Sequence, residues 1–224
     1  MKAARPFVVA IDGPAASGKG TLARRLAERF GLAHLDTGKL YRATASLVLA
    51  TGADPADAKA AATAARQVDM TRLAEPGLLS EEVAQASSVV AAIPAVRAAL
   101  LDRQRDFAAH PPAPFHGAVL DGRDIGTAVC PEATVKLFVT ASPEARAERR
   151  VRELRERGAT VIYGNVLQDM KERDARDSGR RVAPLAAAPD AVTIDTTSLD
   201  ADQAFELASE IIARALAIHG IGPI

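Results

Sequence analysis

Apolar runs of strand length alternate along the chain with longer segments of helical period. Phe7-Val-Val-Ala-Ile11 ends at Asp12 and opens into a glycine-rich turn. Ala33-His-Leu35 ends at Asp36, Ala118-Val-Leu120 at Asp121, Val135-Lys-Leu-Phe-Val139 at Thr140, and Ala191-Val-Thr-Ile194 at Asp195. Several of these runs are apolar throughout, as strands buried on both faces of a parallel sheet are. Most stop on a polar residue, and in open α/β sheets ligands bind at that strand end. Thr21–Phe30, Pro143–Arg157 and Gln203–Ala217 read as amphipathic helices between the strands, with Ser142-Pro143 as a cap and first helical residue. The βαβα order predicts an α/β fold.

Two regions break the alternation. Residues 43 to about 116 carry Ala-rich helical stretches, a break at Glu75-Pro76-Gly77 and the return segment Pro111-Pro112-Ala113-Pro114. Residues 146–181 are dense in charge, from Arg146, Arg149, Arg150, Arg152, Arg155 and Arg157 to Arg173, Arg176, Arg180 and Arg181. Both read as insertions at the sheet edge, and no internal repeat is evident.

A length of 224 residues suits one large domain with excursions, and 48% hydrophobic residues at a mean hydropathy of +0.03 suffice for a globular core. The 28 basic and 28 acidic residues cancel, which argues against a nucleic-acid polymer as partner and for a small charged substrate. Cys130 is alone and reads as a small core residue. His34, His110, His116 and His219 lack ligand spacing. A disulfide framework and a zinc site are thereby excluded, and a reducing cytosol is expected. The apolar-leaning run Val83–Val96 holds Gln85 and Pro94 and is too short to span a membrane. Phe7–Ile11 is too short for a signal-peptide core.

Gly13-Pro14-Ala15-Ala16-Ser17-Gly18-Lys19-Gly20-Thr21 lies between an expected strand and an expected helix. That is the setting of a phosphate-binding P-loop, whose backbone N–H groups and helix N-terminus hold phosphate oxygens. Lys19 would reach the β- and γ-phosphates of ATP. Thr21 would enter the Mg²⁺ shell, although the usual hydroxyl position is Gly20 here. A regulatory GTPase needs an Asn-Lys-x-Asp reader, but Val166 follows the only asparagine, Asn165. Motor and transporter ATPases carry a strand ending in Asp-Glu, whereas here Asp121-Gly122-Arg123-Asp124 closes the strand. A small-molecule phosphotransferase remains.

Ile11-Asp12-Gly13-Pro14, Leu35-Asp36-Thr37-Gly38 with Tyr41-Arg42, Asp121-Gly122-Arg123-Asp124-Ile125-Gly126-Thr127, Glu172-Arg173-Asp174 with Arg176-Asp177 and Arg180, and Val182-Ala183-Pro184-Leu185 complete a set. With Ser87-Ser88 through Arg97, it resembles the bacterial cytidylate kinases, within the nucleoside-monophosphate kinases, from about residue 7 to residue 215. The resemblance implies a P-loop NTPase-type five-stranded parallel sheet flanked by helices. It implies a core of residues 1–42 and 117–224, a monophosphate-binding insertion at 43–116 and a short lid at 150–181. The reaction implied moves the γ-phosphoryl of ATP to CMP or dCMP, with Mg²⁺, in a cytoplasmic monomer.

By resemblance, Arg42, Arg123 and Arg180 hold the acceptor phosphate or the migrating group, and Arg173 and Arg176 arrive with the lid, Arg176 on the ATP side. Arginine suits such work because its planar fork grips phosphate oxygens in two places. Cytosine would be read by Ser88, Arg97 and Asp124, the ribose hydroxyls by Asp177, and Thr37 stands where serine is common. Asp12 and Asp36 are expected to orient loops, and Asp121 to hold a water on Mg²⁺ or cap its turn. The face Arg146–Arg157, interleaved with Glu144, Glu148, Glu153 and Glu156, is expected to be solvated helix surface. One departure stands out: Asp69–Glu82 is too short for the small antiparallel sheet many family members carry there. The rival readings are a UMP/CMP-dual kinase, a kinase of a non-nucleotide acid, and a nucleotide-binding module without turnover.

Overall fold

A computed structural model describes residues 6–218, so His219 and Lys2 lie outside the described residues. Five strands, β1 (Phe7–Asp12), β2 (Ala33–Asp36), β3 (Gly117–Gly122), β4 (Val135–Thr140) and β5 (Val192–Asp195), form one parallel sheet in the order β2-β3-β1-β4-β5. The expected strands are all present: β1, β2 and β4 are extended by the terminal polar residue, β5 is shifted by one, and β3 gains Gly117, Asp121 and Gly122. Side-chain alternation sends Val9 and Ile11 to one face, against Leu22, Leu26, Ile212 and Leu216. Ala10 goes to the other, with Leu35, Leu120, Ile125 and Ala108. The first face is covered by α1 (Lys19–Arg29) and α8 (Ala201–Ile218). β3, inside the sheet, is buried at every residue. β5 lies at the edge and buries only Ile194. The edge position explains why its apolar run is short and mixed.

The segment expected as the insertion is helical: α2 (Thr37–Ala50), α3 (Ala58–Gln67), α4 (Glu81–Val90) and α5 (Pro94–Ala109), with 3₁₀ turns at Met70–Arg72 and Pro76–Leu79. Among the described residues no strand lies between 43 and 116, in keeping with the short Asp69–Glu82 segment. Small side chains on α3 (Ala61, Ala64, Ala65) let it pack closely on Val48, Val90, Val96 and Leu100 as a second core. α2 runs unbroken across residue 43, and α5 contributes Val96 and Leu100 to that second core but Ala108 to the sheet core. Two continuous helices thus tie the helical segment to the sheet, α2 directly from the end of β2 and α5 through residues 110–116 before β3. α6 (Pro143–Glu156), capped by the Ser142 hydroxyl on Ala145 N, and α7 (Tyr163–Ser178) pair through Ala147, Val151, Leu154, Val166 and Met170. Among the described residues no single helix is long and apolar enough to cross a membrane.

Candidate active site

β1 delivers Asp12 to the C-terminal edge of the sheet, and the chain then turns through Gly13–Gly18 into α1. A Cβ on Gly13 would stand 2.0 Å from the Val139 carbonyl oxygen of β4, so only glycine lets the loop pass so near the sheet. Ala16, at φ 56°, sits in the left-handed region that non-glycine residues avoid, the kind of strain retained where a loop must hold one shape. α1 begins at Gly18 with no side-chain cap and no acidic residue in its first turn. Its leading N–H groups are therefore free to take an anion, and the helix dipole favours one.

Lys19 folds back so that Nζ donates to the Pro14 carbonyl at 3.2 Å. Burial and the Arg123 guanidinium push its ammonium down to about 7, against the pull of Asp121 and Asp36. Phosphates bound in the loop would restore full protonation. Nucleotide binding is thus expected to take up to about one proton above neutral pH, with affinity falling as pH rises past the free pKa. Calorimetry near pH 8 in buffers of different ionisation enthalpy measures this. Equal uptake by the parent and Lys19→Met would contradict the assignment.

Asp36 and Asp121 are register partners at the ends of β2 and β3. Burial and Asp121 raise the Asp36 carboxyl, opposed by Lys19, Lys39 and His34. His34 Nε2 lies 2.8 Å from Asp121 Oδ1, and the Thr37 hydroxyl donates to the Asp121 carbonyl at 2.8 Å. Asp12 accepts from Ile125 N and Gly126 N, both at 2.7 Å, and pins the turn that carries Arg123 and Asp124. Burial raises its carboxyl to about 6. The loop-orienting role expected of Asp12 matches this geometry.

Across the cleft, α7 presents Arg173, Arg176 and Asp177, and Arg180 follows just beyond its Gly179 C-cap. Asp177, 1% exposed, accepts from Arg123 Nε at 3.1 Å and from Arg180, with Arg173 Nε at 4.0 Å. Burial works against its ionisation, and Arg123, Arg180 and Arg173 together outweigh burial and hold the carboxyl below its usual range. Burial and Arg123 push the Arg173 guanidinium down to about 10. Three cations against one carboxylate leave this wall positive. Among the described residues the buried Nε groups of Arg97, Arg173 and Arg180 have no hydrogen-bond partner. Buried donors left unmade are costly. Arg42 Nη1 donates to the Leu78 carbonyl at 2.9 Å.

Farther along, Arg97 and Asp124 form a buried ion pair, with the Arg97 guanidinium 5.5 Å from the Tyr41 ring centre. Arg176 Nη1 donates to Ser88 Oγ at 2.8 Å. The whole cleft measures about 960 Å³. It is lined by Ala15, Ala16, Lys19 and Gly20 at the loop, by Thr37, Arg42, Ser88, Arg97, Arg123 and Asp124, by Arg173, Arg176 and Asp177 from α7, and by Arg180 just after it.

Two expectations need correction. Thr21 is exposed and does not line the cleft. Helix geometry puts Gly20 there instead, and a Cβ on it would stand 3.8 Å from Asp121 Oδ2. The carboxylate therefore faces a glycine, not a hydroxyl. Arg146, Arg149 and Arg150 are not solvated surface. Arg146, 4% exposed, donates to Ala141 O at 3.0 Å, to the loop carbonyl of Ala15 at 3.3 Å and to Asp174 at 2.6 Å. Arg149 donates to Thr196 Oγ1 at 2.9 Å, which in turn donates to the Ser17 carbonyl at 3.0 Å, and Arg150 bridges Glu81 and Glu153. The available signal was position: Arg146 and Arg150 border the stripe Ala147, Val151, Leu154 on α6. Thr196 carried no sequence signal of its own, and Asp174, though inside the Glu172-Arg173-Asp174 motif, gave no sign that it pairs with Arg146.

Residues 9–214 match the family model described as cytidylate kinase. A cytidylate kinase of Rhodospirillum rubrum is 62% identical over 208 residues, which cover 93% of this chain and 98% of that protein. A cytidylate kinase of Paramagnetospirillum magneticum is 62% identical over 205 residues, covering 92% and 97%. One of Methylocella silvestris is 60% identical over 209 residues, covering 93% and 95%.

Proposed function

The chain belongs to the cytidylate kinase family and phosphorylates CMP, and we propose that it does so by holding two polyanions between the glycine loop and the α7 arginines. The observation that carries this reading is the set of guanidinium side chains of Arg42, Arg123, Arg173 and Arg180 that line one cleft together with Lys19.

ATP places its phosphates on the backbone of Gly13–Gly20 and on Lys19. The 5′-phosphate of CMP, or of dCMP, enters among Arg42, Arg123, Arg173 and Arg180. With a second pKa near ~6 that phosphate is mostly ionised, so no general base is required. An oxygen of the acceptor phosphate bonds to the γ-phosphorus as the bond from that phosphorus to the bridging oxygen of ADP breaks. The residues contribute alignment and charge neutralisation. Each lost arginine clamp would cost on the order of 3–4 kcal/mol in the transition state. Ser88, Arg97 and Asp124 take the base. Asp177 already accepts from Arg123 and Arg180. A ribose hydroxyl can join them, because a carboxylate offers about four lone-pair sites. Its larger work is to hold the three guanidinia in one place.

Mg²⁺ fits the site through Asp36 and Asp121, whose mutual repulsion a divalent cation would relieve, with Gly20 leaving room beside them. Bound there with the nucleotide, the ion would withdraw charge from the phosphate oxygens. Among the described residues no cluster of three or more candidate ligands exists, which suits an ion held largely by phosphate and water. Cytosolic residence and a monomeric state belong to the same proposal. The first rests on the single Cys130, whose thiol burial pushes up to about 11 and so keeps unreactive, and the second on the family resemblance.

The test is ADP release in a coupled assay with CMP, dCMP, UMP and AMP as acceptors. CMP and dCMP are expected to exceed UMP in kcat/KM by at least roughly tenfold. Equal or faster turnover of UMP or AMP overturns the cytidine assignment, and absence of any ADP release leaves only a binding module.

A further inference from the structure

We propose that Arg176 is a positioning residue for base selection: by donating to Ser88 it turns the serine hydroxyl into a fixed hydrogen-bond donor toward the pyrimidine ring and so favours cytosine over uracil. This rests on the reading of Ser88, Arg97 and Asp124 as the base site.

Arg173 and Arg180 share the Asp177 carboxylate, whereas Arg176 reaches across the cleft from α7 to Ser88 on α4. The two neighbouring serines of α4 differ. The Ser87 hydroxyl donates back to the Ala84 carbonyl at 2.7 Å, as helical serines commonly do. The Ser88 hydroxyl, 2% exposed, accepts from Arg176 and has no acceptor of its own among the described residues. With a lone pair held by a cation, the hydroxyl proton points away from the guanidinium. Ser88 lines the cleft, so a base there meets a donor.

Polarity then decides between the two bases. Ring position 3 is a bare acceptor in cytosine and carries a proton in uracil, so a donor attracts one and opposes the other. Arg97, which lines the same cleft, adds a second donor. Asp124, paired to Arg97, is an acceptor suited to the exocyclic amine of cytosine and opposed to the O4 of uracil. Without Arg176 the Ser88 hydroxyl is free to reverse and accept from uracil. The arginine therefore acts through the serine and not on the base.

The experiment compares kcat/KM for CMP and UMP, and KM for ATP, in Arg176→Met, Arg176→Lys, Ser88→Ala and the Ser88→Ala/Arg176→Met double variant. The CMP-to-UMP ratio does not depend on the folded fraction, because both substrates report on the same active molecules. Arg176→Met is expected to lower the ratio about tenfold, chiefly through a lower KM for UMP, with KM for ATP within about twofold. Arg176→Lys restores most of the ratio, since an ammonium still donates to Ser88. Ser88→Ala lowers it as far, and the double variant no further. An unchanged ratio in Arg176→Met beside a lowered one in Ser88→Ala overturns this proposal alone. A raised KM for ATP with an unchanged ratio puts Arg176 on the donor side. A ratio that Ser88→Ala leaves intact removes Ser88 from the base site and the proposal with it.

Discussion

Lys19→Met is expected to lower kcat by on the order of a thousandfold, the cost of removing a preorganised charge from the point where negative charge shifts in the transition state. Lys19 is the single lysine in the loop, and its Nζ rests on the Pro14 carbonyl, already at the phosphate site. Fold loss does not imitate this result. Between about 7 in the folded protein and the ordinary 10.5, the unfolded chain binds more protons at this residue, so the charge is carried at the expense of stability near neutral pH. Methionine removes that expense, and the variant should melt no lower than the parent at pH 7. Steady-state kinetics beside thermal unfolding make the measurement. A kcat within fivefold of the parent would end the case for Lys19 as the transferring-group cation.

Gly13→Ala is expected to damage stability and activity together. The new methyl carbon would lie 2.0 Å from Val139 O and 3.0 Å from Val139 C, both backbone atoms of β4. No rotamer relieves the overlap, so either the strand end or the loop must move by more than an ångström. Overpacking of this kind typically costs about 1–3 kcal/mol, and the positive φ adds strain. A loss of at least about 3 kcal/mol is expected, which lowers Tm by roughly 10 °C in a chain of this size. Surviving molecules carry a displaced loop and should lose about a hundredfold in kcat. Gly164→Ala is the control, since a Cβ there meets nothing within 4 Å and the position lies in α7. It should leave Tm unchanged or raise it. A Gly13→Ala protein that melts and turns over like the parent would refute the close approach of loop and strand.

What could be read along the chain follows from where one dimension suffices. β1 and β3 are buried on both faces, so their apolar runs announce strands with ends displaced by a residue or so. The loop is legible because glycine, lysine and the flanking elements form one contiguous signal. The limit of the helical insertion is not, because α2 keeps its helical period while its partners change from the sheet edge to α3 and α4. Arg146 and Arg150 look like solvated charge since their acceptors, Ala15 O, Asp174 and Glu81, are remote in sequence. Arg176 shares α7 with Arg173 and Asp177, yet its partner Ser88 is on another element entirely. Thr21 failed for a local reason: one residue of helix turns the side chain 100° away from the cleft.

The two unbroken helices that tie the helical segment to the sheet dictate how acceptor preference could be transplanted between relatives. A graft of residues 43–116 would sever α2 in mid-helix and leave Thr37 and Arg42 with the recipient. A workable splice exchanges Thr37 through Ala109 as one cassette and places its second junction in the stretch before Gly117, after α5 has ended. The donor's Ala108 must then suit the recipient's Leu35, Leu120 and Val129. Chimeras would therefore inherit a sheet-facing seam along with their new base preference.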